Sequence, residues 1–332
     1  MGKNVFLITL FSSLGDALII SNLVIKARKA GQCCYIAHLN NPHILSFLPL
    51  DLRPFAFNVL TLDGMVSLVR ALSAERRKGS IVFGLQQAPG SLRGFFYLSF
   101  MKKLGTIEHL VDQNLYDADI IIPATADYIL NIHLDQISVL SGMHIPVEER
   151  SLSLPDILHS SLENTQPLLV GIHPWSRRWK EPAFVWPFER WVSFVKDASI
   201  NTNISFLVFG RDPRFDEFRC YLNEHLDDAV FSRISFRHVK NIKEMTGAIS
   251  RCEILVSVNT GAVHLAHALK KKMVILNGPT FDFWIPKGEG VRSIRDKQAR
   301  FNGSDRRGGN MHFPMVARID VSDVLKGFQE LI

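Results

Sequence analysis

Four short stretches of this 332-residue chain combine residue types able to do chemistry. The first is Ser12-Ser13-Leu14-Gly15-Asp16, where an apolar run ends in a glycine-containing turn and a carboxylate stands at the start of a helical pattern. Asp16 there is either an N-cap or a general base. The second is SVNTGAVHLAHA, residues 257–268. Asn259, Thr260 and Gly261 lead directly into a helix. Free backbone N–H groups, a hydroxyl and a glycine that admits close approach make an anion site. His264 either faces that site from the first helical turn or packs locally. His264 and His267 have a spacing seen in metal ligands but lack an obvious third ligand, so no metal is assigned.

The third stretch is GIHPWSRRWK, residues 171–180. Ser176, Arg177, Arg178 and Lys180 are interleaved with Trp175 and Trp179. These cations suit a diphosphate, for which arginine offers a fork of donors. The indoles can stack on a base or a sugar. The alternative is a solvated basic loop. The fourth is NGPTFDFW, residues 277–284, where Gly278-Pro279 marks a strand-to-loop turn.

These residues need a scaffold that brings strand ends together. Asn4 to Leu10 predicts a buried strand. Ala17 to Ala30 predicts a helix with Ile20, Leu23, Val24 and Ala27 on one face, and Cys33 to Ala37 predicts a second strand. That βαβ unit implies a parallel sheet. Helices are expected at 62–73 and 128–140, strands at 80–83 and 119–122, and a loop at 86–94. The chain turns polar between Ser151 and Gln166, which sets domains at 1–160 and 161–332. A second series follows, with strands at 168–172, 204–209, 254–258 and 273–276, and helices at 188–198, 215–224 and 262–269. Two α/β halves with a cleft between them suit a nucleotide held at strand C-terminal ends.

Composition narrows the class. At 47% hydrophobic and 21% charged residues the chain is ordinary globular material, and its length points to two domains of about 150 residues each. Cys33, Cys34, Cys220 and Cys252 form no CxxC pair, which predicts reduced thiols in a cytoplasmic protein. No signal peptide is read at the N-terminus, and the run from Val5 to Ile25 is too interrupted to span a bilayer. The net charge of +6 predicts attraction to an anionic partner. No zinc-finger spacing or RNP-like strand accompanies it, so nucleic acid is not expected.

Taken in order, the motifs resemble glycosyltransferase family 9, the heptosyltransferase-type enzymes. The strand–SSLGD–helix appears as Leu7 to Ala17, and the strand–G-x-x-x-S-[KR]-x-W loop as Gly171 to Trp179. The W-P-x-E-x-[WF] helix start appears as Trp186 to Trp191. The S-N-D-T-G-x-x-H-x-A signature appears as Ser257 to Ala266, and the F-G-P-T turn as Asn277 to Thr280. The resemblance implies the GT-B fold, two Rossmann-like lobes with a cleft between them. It implies inverting, metal-independent transfer from a nucleotide-diphosphate sugar, typically ADP-heptose, to lipopolysaccharide core, with no further cofactor. Asp16 matches the family base, with Ser13 and Gly15 in the acceptor-side loop. Thr260, Gly261 and His264 match the donor-phosphate loop. Arg177 stands where a phosphate-binding lysine is usual, and Ser176, Arg178 and Lys180 share its loop. Asp216 or Glu217 matches the acid that holds the donor ribose. A peripheral contact with the anionic inner-membrane face goes with such an acceptor.

Three departures stand out. Asn259 replaces the usual Asp and removes a charge near the donor. Residues 180–185 look inserted, which leaves Arg177, Arg178 and Lys180 as alternative phosphate partners. Residues 295–314 are basic and lack the family's cysteines; they read as a surface loop, with a mobile loop near the acceptor side as the alternative. The competing classes are a transferase with another nucleotide-sugar donor or another acceptor, a nucleotide-sugar epimerase, and a silent nucleotide-sugar-binding homologue.

Overall fold

The computed structural model describes residues 4–10, 14–41, 43–85, 92–112, 118–122, 128–143, 145–155, 168–178, 180–200, 203–280, 282–298 and 315–332, with backbone alone at 92–95, 121, 147 and 148. The chain divides into two compact units, 1–155 and 156–332. The boundary expected at 160/161 falls outside the described residues.

In the first unit the apolar run Asn4–Leu10 forms β1, buried at every position but Asn4. Continuous burial suits a central strand covered on both faces. Helix α1 (Leu14–Lys29) follows, with Lys26, Arg28 and Lys29 in its last turn, where they complement the carbonyl end of the helix. It starts three residues earlier than the apolar periodicity predicts. Asp16 therefore lies inside the first turn and is not an N-cap.

The remaining strands are β2 (Cys33–His38), β3 (Ala56–Asn58), β4 (Ile81–Leu85), β5 (His109–Asp112) and β6 (Ile120–Ile121). Among the described residues they form a six-stranded sheet ordered β3-β2-β1-β4-β5-β6, parallel throughout. The helices are α2 (Ile44–Phe47), α3 (Leu62–Arg77), α4 (Leu92–Lys103) and α5 (Ile129–Ser141). Thr61 caps α3, its hydroxyl accepting from Gly64 N at 3.1 Å. Leu68 and Leu72 of α3 share one apolar cluster with Leu98 and Met101 of α4, laid over Val5, Leu7 and Val82. Helix α5 packs against α1. Asn22, buried in α1, donates to Ser153 O at 3.0 Å and accepts from Ser153 N at 2.9 Å, fixing the end of the unit.

The second unit runs β7 (Leu168–His173), α6 (Phe188–Ala198), β8 (Ile204–Gly210), α7 (Phe215–His225), α8 (Asp228–Phe231), β9 (Ile234–His238), α9 (Ile242–Arg251), β10 (Ile254–Val258), α10 (Gly261–Ala268), β11 (Lys272–Asn277), β12 (Val291–Arg295) and α11 (Val321–Gln329). Its strands also pair in parallel, ordered β12-β11-β10-β7-β8-β9. Numbered from β7, this is the same doubly wound order as the first sheet. The expected α/β class is what the structure has.

The Trp186-Pro187-Phe188-Glu189-Arg190-Trp191 motif serves packing. Pro187 stands at the N-cap of α6 and Glu189 in its first turn. Trp186 is fully buried, meets Trp191 edge-on at 4.9 Å, and donates from Nε1 to Ile319 O at 2.9 Å. That bond ties the start of α6 to the segment entering α11.

Candidate active site

In a doubly wound sheet the two central strands send their following segments in opposite directions, and a crevice opens at their C-terminal ends. In the second unit that switch lies between β7 and β10, where His173 and Ser257 are register partners. His173 Nδ1 is 3.3 Å from Ser257 Oγ, and both residues are buried. Burial brings the His173 imidazole down to about 4, against a smaller opposing pull from Asp212. It is neutral at pH 7.

The segment leaving β7 holds the basic loop. Trp175 turns inward: its Nε1 donates to Phe209 O at 2.8 Å and its ring packs on Phe215 and Phe218. The stacking on a ligand expected of Trp175 is therefore not open to it, because the indole anchors the loop. Trp179 lies outside the described residues. Ser176 is buried, and its Oγ accepts from Arg178 N at 3.2 Å. Arg178 is engaged twice over. Its guanidinium binds both oxygens of Glu181, at 2.7 and 2.6 Å, and lies 4.1 Å over the Phe184 ring. Arg177 is exposed and has no acidic partner among the described residues. Lys180 is exposed on the same turn.

The segment leaving β10 makes the opposite edge. Thr260 caps α10, its Oγ 3.4 Å from Ala262 N, and Gly261 is the first helical residue. Asn259 donates from Nδ2 to Asn277 Oδ1 at 3.3 Å. Asn277 ends β11, is fully buried, and its own Nδ2 has no hydrogen-bond partner among the described residues. Sequence reasoning treated Asn277 only as the start of a turn. Its pairing could be foreseen only from the register of β10 on β11, which sets Val258 beside Leu276. His264 is buried on α10, and burial, helped by His267, brings its imidazole down to about 3. It offers an N–H or a lone pair, never a charge near pH 7. The turn after β11 closes this edge against the basic loop: a Cβ on Gly278 would collide with Ala183 O.

Glu217 and Asp216 stand in the first turn of α7, one strand away after β8, and both are exposed. Asp216 lies 3.4 Å from His238. No hydrogen bond among the described residues links Glu217 to the 176–180 turn. An acid that the sequence reading passed over, Asp212, lies near the switch. It is held by Arg214 Nε at 3.0 Å, and its charge acts on His173.

In the first unit Asp16 and Gly15 are buried in α1, at the switch-point strand β1. Tyr128, at the start of α5, is near Asp16: burial, helped by the Asp16 charge, pushes its phenol above the usual range. Tyr128 is a further candidate that the sequence did not single out. Ser13 lies outside the described residues.

The motifs in the second unit meet their family here. Residues 144–302 match the model of glycosyltransferase family 9 (heptosyltransferase). This stretch is a glycosyltransferase family 9 region. It makes the chain a glycosyltransferase, and it contains the basic loop and the Asn259–His264 turn. The whole chain shares its fold with solved structures of that kind. A family 9 glycosyl transferase from Veillonella parvula is 16% identical, with a TM-score of 0.61 over 100% of this chain and 98% of that one. The E. coli ADP-heptose lps heptosyltransferase II is 16% identical, with a TM-score of 0.60 over 99% and 98%. The E. coli heptosyltransferase WaaC, solved with ADP-2-deoxy-2-fluoro heptose, is 14% identical, with a TM-score of 0.60 over 99% and 100%. The two parallel-sheet units are thus those of the GT-B fold. Among curated proteins no sequence matches the chain.

Proposed function

We propose that this chain transfers a sugar, a heptose from ADP-heptose, to a lipopolysaccharide-type core glycan, with inversion and without a metal. The observation that carries the reading is the second switch point. One edge holds Arg177, a cation with no acidic partner among the described residues, and the other holds the N-terminus of α10 behind Thr260 and Gly261. A guanidinium on the segment leaving one central strand and free backbone N–H groups on the segment leaving the other suit a diphosphate. The name of the E. coli enzyme and the ligand of WaaC support the choice of heptose and ADP in this reading.

In this reading Asp16 takes the proton of the acceptor hydroxyl. The freed oxygen attacks the anomeric carbon, the bond from that carbon to the diphosphate breaks on the opposite face, and both electrons leave with ADP. Arg177 and the α10 N–H groups meet the charge that develops there, which is where preorganised donors lower a barrier most. His264 contributes a neutral hydrogen bond. Ser176 holds the loop in shape, and Glu217 binds the ribose. The protein works in the cytoplasm, at the face of the membrane that carries its acceptor.

A calorimetric titration with ADP, UDP, GDP and dTDP, with and without magnesium, tests the donor. Selective binding of ADP in the absence of magnesium supports the reading. Preference for another nucleotide moves the donor, and binding of none removes the donor site.

A further inference from the structure

The first sheet is doubly wound like the second, and its own switch lies between β1 and β4. In such units a ligand lies over the turn from β1 into the first helix, and its sugar hydroxyls are read about 20 residues further on, where β2 ends. Here that position is His38, the last residue of β2 and the register partner of Leu10, which ends β1. The mechanism above makes no use of it.

His38 is 6% exposed. Its Nδ1 accepts from Asn41 N at 3.2 Å, so in the neutral ring the proton sits on Nε2. Burial pulls the imidazole below its usual range and favours that neutral form. Nε2 has no hydrogen-bond partner among the described residues and is not sealed in the core. Asn40 follows in the left-handed region, at φ 46°. Asn58, which ends β3, holds it there: Asn40 N donates to Asn58 Oδ1 at 3.1 Å, and Asn58 Nδ2 donates to Asn40 Oδ1 at 3.4 Å. The Asn40 Nδ2 group stays uncommitted among the described residues. Val59 N, donating to His38 O at 2.9 Å, ties the two strand ends together. Their spare groups are neutral N–H donors.

The surrounding charge decides what those donors take. Residues 39–47 and 59–65 contain no lysine or arginine. Asp63 stands in the first turn of α3 and Asp16 in the first turn of α1. A phosphate or carboxylate over this edge would meet acidic neighbours without a lysine or arginine to offset them, whereas a hydroxyl oxygen accepts the same N–H groups at no such cost. Leu60 and Leu62, exposed on the turn after Asn58, offer apolar cover for the C–H groups of a sugar ring. We propose that the ends of β2 and β3 form a subsite for an uncharged sugar of the acceptor, with His38 Nε2–H and the Asn40 amide donating to its hydroxyl oxygens and His38 setting its specificity. The proposal rests on the reading of a glycan acceptor and names the class of sugar that the first unit takes.

The test is magnetic resonance of the full chain with isotope-labelled histidines. The probes are methyl mannoside, methyl glucoside and methyl galactoside, each against its uronic acid counterpart. His38 should show the Nε2-protonated tautomer, and its ring signals should move with at least one neutral glycoside and with none of the uronides. His38→Leu should weaken binding of that glycoside roughly 2- to 10-fold, the worth of one neutral hydrogen bond. His38→Gln, whose amide restores an N–H near Nε2, should bind it nearly as well as the wild type. Both variants lose the bond from Asn41 N, so a purely structural role would lower both alike. Asn40→Gly keeps the positive φ, removes the amide and should also weaken binding. ADP titration should be unchanged in every variant, since the groups assigned to the donor lie in the second unit. Binding of a neutral glycoside by a chain that binds no nucleotide would leave this subsite standing and sink the donor assignment. A uronide bound as well as its neutral counterpart, no shift with any glycoside, an Nδ1-protonated ring, or equal losses from the Leu and Gln variants overturns the proposal.

Discussion

Replacing Arg177 and Arg178 separately should give very different results, although they are adjacent, identical in type and both exposed. The structure sets them apart through their partners. Arg178 is held by Glu181 at 2.7 and 2.6 Å and lies over Phe184, so a diphosphate would have to compete with an existing carboxylate. An exposed ion pair of this kind is worth roughly 0–1 kcal/mol. Arg178→Ala should therefore cost little stability and change ADP affinity by less than about fivefold. In the proposed donor site Arg177 would meet the ligand with its charge uncompensated. Two charges 4 Å apart at an effective dielectric of about 20 attract by about 4 kcal/mol. Solvent competition brings the net value for a charged hydrogen bond to about 1.5–3 kcal/mol. Arg177→Ala should accordingly weaken ADP binding by roughly 10- to 100-fold. Calorimetry at two salt concentrations reads both effects, and the Arg177 contribution should shrink as salt rises. Equal losses from the two variants, or a loss confined to Arg178→Ala, would refute the partner argument.

Asp16→Asn should keep ADP affinity and lower turnover by about 10²–10⁴, the contribution of a general base; a parallel loss of nucleotide binding would mean that the residue is structural. Gly278→Ala forces a methyl group into Ala183 O, and overpacking of this kind costs about 1–3 kcal/mol. Urea denaturation should show that loss, and a fully stable variant would contradict the close approach of the two loops. His173 and His264 are held neutral by burial, at about 4 and about 3 against an unfolded value of 6.5. Between those limits the unfolded chain binds more protons, so stability is complete above pH 6.5 and falls as acid is added. At pH 5 the loss is about 2 kcal/mol per imidazole. Melting temperatures should drop between pH 7 and 5, and less steeply in a His264→Gln variant. A flat profile would place these rings in contact with solvent.

The central strands and their helices were legible because the signal there is strong. Helix α6 and strand β10 occupy 188–198 and 254–258, as the apolar pattern predicts. Edge elements were harder to read. Strand β9 has the mixed sequence ISFRH and β12 has VRSIR, half polar because sheet edges are only partly covered. Helix α4 was not foreseen: its first three residues fall in the 86–94 stretch expected as loop from Pro89, Gly90 and Gly94, and residues 95–103 carried no expectation. Its exposed phenylalanines also break the amphipathic pattern by which a helix is recognised. The expected loop at 295–314 begins inside β12, where Arg295 pairs with Asp282 at 2.8 Å, and residues 299–314 lie outside those described. At the site, strand-to-helix transitions marked Asp16 and Thr260 in the sequence. Nothing local marked the division of labour between Arg177 and Arg178, or the inward turn of Trp175. Those depend on Glu181, Phe184 and Phe209, which only the folded chain brings near.

The amide pair between Asn259 and Asn277 has a consequence for proton traffic. Neither amide titrates, nor do Thr260 and Ser257 in any ordinary range, and arginine stays charged throughout. His173 and His264 remain neutral until well into acid. The charge lining the second switch point is therefore constant across the pH range in which a cell lives. A pH dependence of ADP binding near neutrality would then have to come from outside this lining, from the nucleotide or from another part of the chain.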